Sequence, residues 1–296
     1  MAQSAKTVLI SIVASLAVCF LLINWMGLKP QQASNAKESV YERVIRAGTI
    51  RCGYFNVPPY MIKNPNTGEL SGIAHDVMEQ VGARLNMKIE WVMESAFPTM
   101  AQDLNQDRYD ALCSGAWNMP TRAKVADFTV PFFFTPSIVI VRADDTRFDK
   151  DVTILNNSDY TLAIVEGTPQ QYLHKTRFQN AKLYSLPEYS SPAEALEVVA
   201  TKKADAAIYF VSELDLYNRH NPDKKLKNAT PNHPVFIGAS SMIVKKGEVD
   251  FKNLLDQVLL YLMADGTVDE ILKKYQSVPG SFLRVANPYQ PLSVQP

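Results

Sequence analysis

Residues 110–134 read DALCSGAWNMPTRAKVADFTVPFFF. An apolar strand runs out into the small residues Ser114 and Gly115, and one arginine, Arg122, follows shortly after. A turn of small residues leaves backbone N–H groups free, and a guanidinium grips two oxygens of one anion at once. Together they predict a receptor for a small carboxylate. The plainer alternative is a surface arginine pairing with Asp127.

The chain around this stretch has 296 residues, 47% of them apolar, enough for a large core and long enough for two lobes. Lys plus Arg and Asp plus Glu both number 30, so the formal charge is zero and nothing favours nucleic acid or a general anionic surface. Residues 8–28 form a nearly unbroken apolar run between Lys6 and Lys29-Pro30, long enough to span a bilayer and longer than the usual core of a cleavable signal. The expectation is an uncleaved anchor within residues 1–30. The other reading is a removed signal peptide, with Ser34-Asn35-Ala36 as a small-residue cleavage site. A lipoprotein box at Cys19 is disfavoured by the bulky Val18 before it. In each case the rest of the chain is exported.

Residues 31–39 are polar and read as a linker. Beyond them strand and helix signals alternate, which points to mostly parallel sheets flanked by helices. Strands are predicted at 49–54, 88–92, 109–113, 137–141, 161–165, 182–186, 205–210 and 236–244. Ile73, Val77, Val81 and Leu85 mark the buried stripe of one helix, and a short helix fits near 98–107. Thr168-Pro169 and the Ser191/Glu194 capping box start two more. Phe251, Leu254, Leu255, Val258 and Leu262 mark a further amphipathic helix, and Thr267 to Glu270 reads as the cap of the next. The tail from Ser277, with its prolines, reads as extended surface chain. Ligands of open α/β sheets sit beyond the carboxyl ends of strands, where these turns and helix starts fall.

Three cysteines without a CxxC and four scattered histidines (His75, His174, His220, His233) point away from a metal site. GxSxG, HExxH and phosphate-loop signatures are absent, so no catalysis, resident cofactor or ATP hydrolysis is expected of this chain.

Several stretches occur in a fixed order: PPY (58–60), NTGELSGIAHD (66–76), the 110–134 segment, VEGTPQQY (165–172), KKADAAIYF (202–210) and ADGTVDEILKKY (264–275). In this order the chain resembles the bacterial extracellular solute-binding proteins of family 3, the amino-acid-binding components of ABC importers, across residues 40–276. The resemblance implies a two-lobed, type II periplasmic-binding α/β fold. Residues 40–142 plus 240–296 would form one lobe and 143–239 the other, joined by two crossover segments, the first at 142–151. It implies a monomer in the periplasm, served by an ABC permease and held to the membrane through 8–28 if that run is uncleaved.

The same resemblance assigns the site. Arg122 matches the arginine that holds the ligand carboxylate, with Gly115 and Trp117 lining its turn. Thr168 and the helix start behind it would meet the same carboxylate, with Gln170 adding a contact. Phe97 falls where the family packs a side chain on the ligand; Tyr60 and Phe55, in the loop after the first strand, and Phe210 are further aromatic candidates, the alternative for each being ordinary core packing. The family's sheet would set the strands of Cys52 and Cys113 side by side, close enough for a disulfide. One departure is informative: family members usually carry an aspartate for the ligand ammonium where this chain has Phe210, and the acidic residue of the first-lobe loop is also missing. A buried ammonium without a charge partner costs several kcal/mol, so a standard α-amino acid is disfavoured. A carboxylate without an amino group, or a substituted ammonium held by aromatic faces, remains, and Glu166 or Glu213 would supply a negative charge. Two further readings are a membrane-tethered sensor and a cyclic-acid dehydratase on the same scaffold, with Glu166 or Glu213 as the acid.

Overall fold

The computed structural model describes residues 38–285, Phe97 and Asn232 excepted, together with positions 14, 15, 17 and 18. Residues 1–39 and 40–296 are separate compact units. In the first, positions 14, 15, 17 and 18 are helical and exposed. The expected anchor at 8–28 otherwise lies outside the described residues, among which no helix is long and apolar enough to cross a membrane.

The second unit begins with α1 (Val40–Ala47), β1 (Thr49–Tyr54), β2 (Ile62–Lys63), β3 (Leu70–Ser71), α2 (Ile73–Leu85), β4 (Lys88–Glu94), α3 (Met100–Asn105), β5 (Ala111–Trp117), β6 (Ala126–Phe128) and β7 (Phe133–Arg142). It continues through β8 (Thr161–Val165), α4 (Pro169–Arg177), β9 (Lys182–Leu186), α5 (Pro192–Ala200), β10 (Ala206–Phe210), α6 (Val211–His220), β11 (Leu226–Asn228), β12 (Phe236–Lys245), α7 (Val249–Ala264) and α8 (Thr267–Tyr275). The main sheet runs β4-β1-β5-β12-β7-β10-β8-β9, with β6 beside β12 and β11 beside β7. Within each half the strands are parallel, β4-β1-β5 and β10-β8-β9. Only the long strands β7 and β12 run against them and against each other.

Those two strands join the halves. β7 pairs with β12 through residues 133–137 and with β10 through 137–141. The first passage between halves therefore falls at Ser137, inside the apolar strand and ahead of the charged stretch at 142–151. β7 is buried on both faces: Ile138 and Ile140 join one apolar cluster, Val139 and Val141 the other. A period of two with apolar residues at both phases is what a strand between two helical layers requires.

In the first half, Ile73, Val77 and Val81 of the predicted α2 stripe are fully buried, with Met78 beside them, against β4, β5, α7 and α8, while Leu85 at the end of the helix is half-buried. Each such side chain contributes roughly 1.5–3 kcal/mol. The capping box of α5 is formed, Ser191 Oγ accepting from Glu194 N and Glu194 Oε2 from Ser191 N. The start of α8 differs from expectation, since Asp265 Oδ1, not Thr267, accepts the first N–H, behind Gly266.

The tail also departs from its reading as surface chain. Leu283 and Phe134 exchange two backbone hydrogen bonds at 2.8 and 2.9 Å. Phe282 is buried edge-on to the rings of Tyr60 and Phe133. Arg284 locks the turn by donating to Asp269, Gln276 and the Phe282 carbonyl. One aromatic in a proline-containing tail carries no periodicity, so nothing local marked it as core.

Candidate functional site

β1, β5, β8, β9 and β10 all release the chain at one edge of the two half-sheets, and a cavity of about 630 Å³ lies there. Gly115 interrupts β5 at φ 71°, a backbone region that favours glycine, and a Cβ there would press on the Phe132 ring at 3.2 Å. Before it, Ser114 Oγ accepts from Phe55 N at 2.5 Å, tying the loop after β1 to β5. Trp117 closes β5 over Gly238, where a Cβ would stand 2.0 Å from the indole; only a glycine lets β12 pass beneath that ring.

Arg122 opens a short 3-10 turn, its N–H donating to Met119 O at 3.0 Å, and is 8% exposed at the cavity wall. Burial pushes its guanidinium down to about 10, so it stays charged at neutral pH. Asp127, the partner in the plainer reading, is held instead by Lys246 Nζ at 2.5 Å and Gly247 N at 2.8 Å.

The second half supplies the facing wall. Thr168 and the buried Gln170 line the cavity at the start of α4. The Thr168 hydroxyl does not cap that helix; it donates back to Val165 O at 2.5 Å and fixes the turn between β8 and α4. Pro169 has no N–H, so the helix start is relieved of one orphan donor without a side-chain cap.

β10 runs into α6 with no intervening loop, which brings Phe210 and Glu213 to the same edge. Phe210 lies 5.1 Å from the Trp117 ring and 5.9 Å from Tyr60, so one aromatic of the second half touches two of the first. Phe55 and Tyr60 complete the apolar wall. Phe97 lies outside the described residues. Arg122, Gly115, Trp117, Thr168, Gln170, Tyr60, Phe55 and Phe210, picked from sequence for the ligand, line this one cavity, as does Glu213, whereas Glu166, the other candidate for a negative charge, is exposed after β8 and is not part of its wall. Cys52 and Cys113, on the adjacent strands β1 and β5, are bonded behind it with S–S 2.08 Å.

Glu213, Tyr209 and residues 188–193 line the cavity as well. The rule that placed Thr168 applies equally to the turn between β9 and α5, so the last group was within reach of sequence reasoning. Glu213 is 8% exposed, and its Oε2 accepts from Phe210 N at 2.9 Å. Burial pushes its carboxyl up to about 8 against that hydrogen bond. Burial and then the nearby Glu213 charge push the phenols of Tyr60 and Tyr209 well above their ordinary range. Among the described residues no group of three or more His, Cys, Asp or Glu side chains is placed to hold a metal ion.

A cavity between two half-sheets joined by a pair of antiparallel crossing strands is the plan of a two-lobed receptor. The family model of the bacterial extracellular solute-binding proteins, family 3, matches residues 50–278. The chain belongs to that family. It is 25% identical to the amino-acid-binding protein AabA of Dichelobacter nodosus, covering 72% of this chain and 80% of that protein. It is also 20% identical to cyclohexadienyl dehydratase of Pseudomonas aeruginosa, over 79% of this chain and 85% of the enzyme. Among solved structures, an ancestral amino-acid-binding protein described as a precursor of cyclohexadienyl dehydratase superposes with a TM-score of 0.66 at 23% identity, over 80% of this chain and 99% of that one. The fold is that of the type II periplasmic binding proteins, and as a member of this family the chain is a solute-binding protein.

Proposed function

We propose that this family member is an exported receptor that closes on a small carboxylate-bearing solute, an amino acid or a related organic acid or ammonium compound, and delivers it to an ABC permease. The observation that carries the reading is Arg122, buried yet cationic, in a cavity whose opposite wall holds the start of α4. Residues 40–142 plus 240–296 act as one jaw and 143–239 as the other. Contacts such as Phe210 to Trp117 and Tyr60, made across the cavity, favour the closed arrangement, and a solute bridging both walls adds to it. The chain works as a periplasmic monomer without turnover, tethered through residues 8–28. A melting-temperature screen with small carboxylates tests this, because a ligand at 100 times its dissociation constant adds about 2.7 kcal/mol. No shift with any carboxylate contradicts it.

A second reading is favoured by one observation. Glu213 is a carboxyl held near 8 inside the cavity, which suits a general acid at neutral pH. In a dehydratase it would protonate a hydroxyl of a cyclic acid whose carboxylate is held by Arg122; water departs with the C–O bonding pair, and a proton lost from the neighbouring ring carbon to solvent leaves the electrons of the new double bond. Turnover of cyclohexadienyl acids that is lost in Glu213→Gln would establish it, and absence of turnover leaves the receptor.

A further inference from the structure

We propose that Glu213 forms a second polar subsite, opposite in sign to the first, which receives a cationic nitrogen lying several bonds from the carboxylate at Arg122, making the substrate class an ω-amino or ω-guanidino acid. The inference rests on the receptor reading and deepens it. One carboxyl oxygen of Glu213 accepts from Phe210 N, and among the described residues no cationic side chain pairs with this group. The side chain is more than nine-tenths buried and stands on the wall of the cavity. Around it are the phenol oxygens of Tyr60 and Tyr209, which can accept from a nitrogen donor, and the ring of Phe210. An acceptor-rich, aromatic-walled corner with an uncompensated carboxyl is complementary to an organic cation.

The spacing follows from topology. Arg122 stands in the turn after β5 of the first half, and Glu213 in the first turn of α6 of the second, and both line the cavity. The two charged groups therefore belong to different walls. An α-amino acid, with one carbon between its charged groups, does not reach both. The position where relatives carry an aspartate for that near nitrogen is Phe210, an aromatic packed on Trp117.

Binding a cation here requires Glu213 to give up its proton. The other charged or titratable groups at the cavity are Arg122 after β5, Glu94 on β4, Glu188 after β9 and His220 on α6, besides the phenols of Tyr60, Tyr189, Tyr209 and Tyr217.

The test uses the full-length protein and calorimetric titration with matched pairs: 4-aminobutanoate, 5-aminopentanoate and 6-aminohexanoate against butanoate, pentanoate and hexanoate. At pH 8.5 at least one amino acid of the series binds tenfold or more tighter than its plain partner, and Glu213→Gln lowers that ratio to below threefold. A ratio near one in the wild type, or one that survives Glu213→Gln, overturns the subsite while the carboxylate reading stands on the plain acids. If no member of either series binds, both fall. Should the variant fail to fold, the wild type decides: its preference for the amino acid drops roughly tenfold per pH unit below about 8. A flat profile overturns the proposal, as does one abolished by His220→Gln.

Discussion

Replacing Cys52 and Cys113 together by alanine removes a cross-link whose effect follows from chain statistics. The bond spans a sequence separation of 61 residues and joins two fully buried side chains on adjacent strands. Closing a loop of that length takes about 4 kcal/mol of conformational entropy out of the unfolded state. A domain of this kind has only about 5–15 kcal/mol of stability in total, so the loss is a large share of it. At roughly 2–4 °C per kcal/mol for a chain of this size, the melting temperature falls by about 8–16 °C. The loop also contains Phe55 and Tyr60, so the cross-link steadies the wall of the cavity along with the sheet. Urea denaturation of wild type and double variant measures the difference, and thiol titration of the denatured, unreduced wild type reads the bond itself. One reactive thiol, that of Cys19, is expected from the three cysteines. Three reactive thiols, or a stability difference below about 1 kcal/mol, refute the reasoning.

Phe282→Ala empties a site bounded by Tyr60 and Phe133 and costs about 3–5 kcal/mol; a calorimetric melt within 1 kcal/mol of wild type returns the tail to the surface. Phe210→Asp strengthens binding of α-amino acids relative to plain carboxylates in calorimetry, and unchanged selectivity removes the explanation given for that aromatic. Because the folded protein holds the Glu213 proton more tightly than the unfolded chain, the stability contributed by this group is complete below about pH 4.5, falls as pH rises to about 8, and is lost above. Glu213→Gln flattens that fall by up to about 5 kcal/mol, and urea titrations that keep the same slope in the variant place the titration elsewhere.

Much of the fold was legible because its strands are short apolar runs between clear punctuation. β1, β8 and β9 fall on their predicted residues, and three of the four residues of the α2 stripe are fully buried, Leu85 at the end of the helix being half-buried. What escaped was local structure set by distant partners. β5 reaches Trp117 because β12 pairs along it, although Ser114 and Gly115 read as a turn. α6 was missed because it follows β10 without a break and its polar sequence VSELDLYNRH carries only a weak stripe. The Thr168 hydroxyl was read as a helix cap from the Thr-Pro pair, whereas the carbonyl of Val165 at the end of β8 claims it. Phe282 is core only because β7 offers a free edge at Phe134. For the site, the ends of parallel strands located the cavity, and the resemblance selected residues that line it. Glu213 carried a weaker signal: an acidic residue in a first helical turn is ordinary, and only its burial distinguishes it.

The central claim, that Arg122 holds the carboxylate of the solute, is tested most directly by a crystal structure of the protein with a bound acid. The account predicts both carboxylate oxygens within hydrogen-bond distance of the Arg122 guanidinium, with the start of α4 closing over the same group. A solute seated elsewhere, or an Arg122 side chain directed into bulk water, contradicts it.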